Sequence, residues 1–126
     1  MGLRIVAAAV VLLVVAGCGG SRHLGPAAER AAIANAKRVY GFAQFSDIFP
    51  SKAETVSCSV AAGPLGNVFK GRCSTAVIPR AGGGATVLFT QDFGAQGRHR
   101  WRVRVSSDGT ASLVSQSGGG LVQLIR

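Results

Sequence analysis

Apolar positions along this chain change their spacing twice. An unbroken apolar run from Ile5 to Ala16 opens it, a helical period follows Pro26, and two-residue alternation takes over from about residue 56. Ala32, Ile33, Ala36, Val39, Tyr40 and Ala43 recur at the i, i+1, i+4, i+7, i+8, i+11 spacing of one helical face. Pro26 stands where a first helical residue is favoured, because its fixed φ suits the helix and its missing N–H would have no partner there. The spacing predicts a helix over about 26–44, with Glu29, Arg30, Lys37 and Arg38 on its solvated side. Gly41 weakens its far end, and Phe49-Pro50-Ser51 breaks the pattern.

Beyond that break, Val56, Cys58, Val60 and Ala62 share one face of a strand, and Phe69, Gly71, Cys73, Thr75 and Val77 share one face of the next. Gly63-Pro64-Leu65-Gly66-Asn67 between them reads as the turn of a β-hairpin. Pairing Ala62 with Phe69 sets Cys58 directly opposite Cys73, so a cross-strand disulfide is expected. Closing a loop of about 15 residues is worth about 3 kcal/mol on the chain-entropy argument.

Pro79 and the run Ala81 to Gly84 mark another turn, followed by strands at about 85–93 and 98–106. The second of these alternates most sharply. Arg98, Arg100, Arg102 and Arg104 point one way, and His99, Trp101, Val103 and Val105 the other. A three-residue loop Ala95-Gln96-Gly97, with Gly97 left-handed, pairs Val87 with Val105 and Asp92 with Arg100. Residues 110–116 form a short fifth strand. Ser117 to Gly120 is a flexible stop, and the apolar run 121–125 either completes the sheet or serves as a docking strand. The expected fold class is α+β, an N-terminal helix packed on a curled antiparallel sheet of four to six short strands.

The opening segment predicts a domain outside the cytoplasm. The 126 residues hold 14 Lys+Arg against 5 Asp+Glu, a net charge of +9, with 48% hydrophobic and 15% charged residues. That length accommodates one domain. The opening apolar run, preceded by Arg4, is too short to span a bilayer core and reads as a signal peptide. Its end, Val15-Ala16-Gly17-Cys18, resembles the lipobox of bacterial lipoproteins, with Val15 where leucine is commoner. The resemblance implies cleavage after residue 17, diacylglyceryl and palmitate chains on Cys18, and a lipid-anchored protein on the extracytoplasmic face of the cell membrane. Lipidation of Cys18 also accounts for the odd one of three cysteines, leaving Cys58 and Cys73 to pair in an oxidising compartment.

Three regions follow: a signal peptide at 1–17, the lipidated cysteine and a flexible tether at 18–25, and one domain at 26–126. From Gly19 to Gly25 the tether reaches about 23 Å at roughly 3.3 Å per residue, which keeps the domain near the bilayer. Cleavage removes Arg4 alone among the charged residues, so the basic excess belongs to the mature domain. The mature part is loosely similar to small secreted actinobacterial domains of unknown function, a similarity that implies no activity.

The most pointed candidate site is the row Arg98, Arg100, Arg102 and Arg104. Alternate strand residues repeat at about 6.6 to 6.8 Å, so four guanidinium groups line one face over roughly 20 Å. Arginine forks bind phosphate and carboxylate bidentately. The alternative is a solvated strand face that guards against edge aggregation. Trp101 reads as core. His23 and His99 lack companions at metal-ligand spacing, the glycine runs lack the Lys-Ser/Thr of a phosphate loop, and no Gly-x-Ser-x-Gly or His-Glu-x-x-His occurs. Glu54 and Asp92 have no acidic neighbour in sequence to form a catalytic pair. The expectation is a lipid-anchored, non-catalytic module without cofactor or metal that binds or scaffolds an envelope protein. The alternative is a binder of anionic lipid head groups or wall polymers. Nucleic acid lies in the wrong compartment for either.

Overall fold

A computed structural model describes residues 24–119. Within them one α-helix, α1 (Pro26–Lys37), precedes five strands: β1 (Glu54–Ala62), β2 (Asn67–Pro79), β3 (Ala85–Asp92), β4 (Arg98–Val105) and β5 (Ala111–Gly119). Each strand pairs antiparallel with the next, giving an open sheet in the order β1-β2-β3-β4-β5. The arrangement is α+β, with α1 and the segment after it packed on one face. The expected signal peptide, Cys18, His23 and the apolar run 121–125 lie outside the described residues.

The helix ends seven residues before the periodicity predicts. Arg38 N–H and Val39 N–H turn back to the carbonyls of Asn35 and Ala36, three residues away, which tightens the last turn. Gly41 then takes φ +92° and redirects the chain into a 3-10 helix, Ala43–Ile48. As a result Ala32, Ile33, Ala36 and Val39 are buried as the stripe requires, whereas Tyr40 is 97% exposed. The redirection delivers Phe42 and Phe49 to the sheet. Phe42 stacks on Phe89 at 4.4 Å between ring centroids, and Phe49 meets Trp101 edge-on at 5.6 Å. Lys37 straps this segment in place by donating to the Phe49 carbonyl at 2.6 Å, and Thr75 on β2 donates to the Pro50 carbonyl at 2.8 Å. Desolvation lowers the Lys37 pKa, with the Asp47 carboxylate opposing it.

Both long hairpins close two residues away from the expected register. In the first, Gly63 and Gly66 adopt positive φ and Gly66 N–H bonds the Gly63 carbonyl, so the turn needs four residues and Ala62 pairs with Asn67. Cys58 therefore faces Gly71, and Val56 faces Cys73. The disulfide forms on the diagonal instead, because both cysteines remain on the same face, with Cα atoms 5.8 Å apart. In the second hairpin the loop is Gly94-Ala95-Gln96, and the left-handed residue is Gly94, at φ +62°. Gly97 also has a positive φ, +143°, that favours glycine; its N–H donates to the Gly94 carbonyl and its own carbonyl accepts from the Phe93 N–H. Val87 thus pairs with Val103, Phe89 with Trp101 and Asp92 with Arg98, correcting the expected Asp92–Arg100 pair.

β2 is longer than β3, so its first residues, from Asn67 to Gly71, pair with β1 alone and form a ribbon beyond the end of β3. Gly71 sits where the ribbon leaves the sheet. A Cβ there would run into the Asp92 carbonyl oxygen and the Phe93 ring, so the close approach needs glycine. The disulfide crosses the base of the same ribbon. Replacing both Cys58 and Cys73 by Ser is expected to lower stability by about 3 kcal/mol in urea unfolding, since the sequence separation is 15. Buried Gln91 Oε1 has no hydrogen-bond partner among the described residues. Gln91→Met should accordingly leave the melting temperature unchanged or raise it, because it removes a desolvated acceptor while keeping volume.

Candidate functional site

The sheet has a covered face and an open one. β4 alternates strictly between exposed arginines and buried His99, Trp101, Val103 and Val105. Trp101 is fully buried, in agreement with its expected core role. His99 differs from its expected place at a hairpin edge: it is 5% exposed, on the covered face, with its ring 6.2 Å from that of Trp101. The reason is β5, which runs past it to Gly119 and sets Gly118 opposite His99.

On the open face the strand register brings together residues far apart in sequence. Arg102 has Leu88 on one side and Ser115 on the other; Arg100 lies between Thr90 and Ser117, and Arg104 between Thr86 and Ser112. β2 adds Lys70 and Arg72 to the same face, since they alternate with the covered Cys73 and Thr75. Six of the eleven Lys and Arg of residues 24–119 therefore lie on one face, with one of the five acids, Asp92. β4 is the fourth of five strands, so its arginines line the interior of this face. Edge protection does not explain them.

Asp92 does not sit evenly among the cations. Its carboxylate accepts from Arg98 at 3.1 Å and from the Gly94 N–H at 2.8 Å. The Gly94 N–H first, then the Arg98 guanidinium, hold its carboxyl below the usual carboxylate range. Arg98 is thereby engaged at one end of the row. Arg100, Arg102 and Arg104 make no hydrogen bond or ion pair among the described residues. Arg80, just past the end of β2, shares with Arg104 a shallow recess of about 280 Å³ also lined by Gly82, Gly83 and Ser107.

A β-bulge sets what flanks the arginines. β5 carries one extra residue between the pairs Val103–Leu113 and Arg102–Ser115. Without it, Val114 would face Arg102 and Gln116 would face Arg100. The extra residue exchanges the faces of everything after it, placing Ser115 and Ser117 beside the arginines and Gln116 opposite Trp101. Lys70, Arg72, Ser115 and Ser117 are the site residues that the sequence analysis misses. Strand parity carries a signal for Lys70 and Arg72, but nothing in the spacing of β5 announces the bulge that places Ser115 and Ser117.

Among the described residues no group of three His, Cys, Asp or Glu is arranged to hold a metal ion, and no helix is long and apolar enough to cross a membrane. A second cleft, of about 300 Å³, lies between α1 and the sheet end and is lined by Leu24, Ala28, Ala32, Ala85 and Val105 among others. It is largely apolar and carries no ionisable side chain.

Because the Asp92 pKa is depressed by folding, its contribution to stability is present above the unfolded carboxylate value, about 3.9, and is lost as pH falls through the folded value. Asp92→Asn is expected to melt below the wild type at pH 7. A pH series of thermal melts should show the two curves converging as the pH falls below the ordinary carboxylate range and Asp92 becomes protonated, like Asn uncharged. Comparison of the chain with protein-family models, with curated proteins and with solved structures finds no match.

Proposed function

We propose that this protein is a lipid-anchored, non-catalytic binding module of the cell envelope whose open sheet face docks on an anionic partner. The observation that carries the reading is the concentration of six cations and one acid on a sheet face that no second layer covers among the described residues. Arginine is suited to the task, because its planar fork stays charged and bonds two oxygens of a phosphate or carboxylate at once. Leaving several guanidinium groups side by side without carboxylates costs stability through mutual repulsion, and an anionic partner relieves that cost.

The anchoring part of the proposal rests on the Val15-Ala16-Gly17-Cys18 motif and the short chain that follows it. Leu24 already packs against the core, six residues after Cys18. That interval reaches about 20 Å at 3.3 Å per residue, so the domain works close to the membrane to which Cys18 is joined. Two acyl chains supply stable anchoring, each buried CH₂ contributing about 0.8 kcal/mol. A protein partner is the second reading. The tip of the β1–β2 ribbon favours it, where Leu65 is 86% and Val68 63% exposed.

The anchor is tested by metabolic labelling with a fatty acid: the wild type incorporates label into the membrane fraction, and Cys18→Ser abolishes incorporation. The docking face is tested by co-sedimenting a chain that starts at Arg22 with purified cell-wall material and with anionic and neutral vesicles. Binding to an anionic target should weaken steeply between low and high salt. Arg100→Gln/Arg102→Gln should lose most of that binding while melting no lower than the wild type, since both side chains are exposed and their mutual repulsion is removed. Salt-insensitive binding to cell-wall protein, unchanged in the double variant, would favour the ribbon tip instead.

A further inference from the structure

The cations of the open face are not spread as a flat target would require, and their order identifies the shape of the partner. Arg100, Arg102 and Arg104 follow one another along β4 at about 6.7 Å intervals, and Arg80, just past the end of β2, shares a recess with Arg104. Each of the three is flanked by β5 serine, and Arg100 and Arg104 also by β3 threonine. The Asp92–Arg98 ion pair closes one end of the line. Resting on the anionic-partner reading above, we propose that this is a track for a linear phosphodiester polymer, which lies along β4 with successive phosphates on Arg100, Arg102 and Arg104.

Two features select an extended polyanion. A regular one-dimensional repeat of guanidinium groups matches a ligand whose charges repeat along a chain, whereas a bilayer surface engages cations wherever they stand on a face. Hydroxyl groups beside the guanidinium groups add donors out of the guanidinium plane, which suits the tetrahedral oxygens of phosphate better than a planar carboxylate. The β5 bulge places two of those hydroxyls, and in its absence the arginines would stand beside Val114 and Gln116.

The shared chemistry, a glycerol phosphodiester, occurs both in a linear polymer and in a lipid head group, and the experiment separates them. The full chain, purified in neutral detergent, is titrated with poly(glycerol phosphate), with monomeric glycerol phosphate and with phosphatidylglycerol in mixed micelles, over a range of salt. Three phosphate contacts predict a slope of log K against log salt of about −2 for the polymer, each contact contributing roughly 0.7 as for a single strand. Arg100→Gln, Arg102→Gln and Arg104→Gln should each reduce the slope by about 0.7. Lys70→Gln/Arg72→Gln, which removes two charges from the same face but off the track, should weaken polymer binding much less than Arg100→Gln/Arg102→Gln does. Ser115→Ala/Ser117→Ala should weaken polymer binding about tenfold with no change of slope, since hydrogen bonds and not ions are lost.

Monomeric glycerol phosphate at equal phosphate concentration should not compete. Equal losses from the two double-charge variants, Arg100→Gln/Arg102→Gln and Lys70→Gln/Arg72→Gln, or binding to mixed micelles without binding to polymer, would overturn the track while leaving an anionic partner in place. Absence of salt-sensitive binding to any of the three would overturn both readings. The near-ultraviolet signal of Trp101, buried beneath the row, reports whether each variant keeps its fold.

Discussion

The contact on which the rest of this structure depends is the aromatic cluster of Phe42, Phe49, Phe89 and Trp101. Phe42 touches the other three, with ring centroids at 4.4 to 5.7 Å, and Phe49 closes over Phe89 and Trp101. Two of these rings come from the segment after α1 and two from the middle strands of the sheet. Large aromatic side chains supply more buried area per residue than any others, and tilted pairs add about 0.5 to 1.5 kcal/mol each beyond that area. In a domain this small they join the single helical layer to the sheet. They also decide on which face that layer lies.

That choice exposes the other face. A strand presents alternate residues to opposite sides, so burying Trp101, Val103 and Val105 obliges Arg100, Arg102 and Arg104 to point outward together. The chain supplies one helix and no second layer among the described residues, and the arginine face remains open. Core packing and the basic surface are thus two consequences of one strand. Substitutions in the buried half act on stability, and substitutions in the exposed half act on what the face binds.

Much of this was legible in residue spacing. The alternation of β4, the shared face of Cys58 and Cys73, and the buried stripe Ala32, Ile33, Ala36 and Val39 all follow from fixed periods of 2.0 and 3.6 residues. Parity survives a register error of two residues, which is why the disulfide was correctly expected from an incorrect pairing of Ala62 with Phe69. Pairing itself was less legible. Asp92 meets Arg98 because Gly94 takes the left-handed position, and Gly94 and Gly97 were equally able to do so.

Residue spacing alone sets the inward faces of α1 and of β1 to β4, the combination of a helix with antiparallel strands, and the shared side of the arginines. These are local properties, set by backbone geometry and the exclusion of apolar groups from water. Only the tertiary structure decided that the helix stops at Lys37, that β4 lies inside the sheet, and that the β5 bulge brings Ser115 and Ser117 beside the arginines. Each of these depends on a contact between distant segments. Helix termination follows the aromatic rings to the sheet, β4 becomes interior once β5 pairs along it, and the bulge sets which β5 side chains the arginines meet.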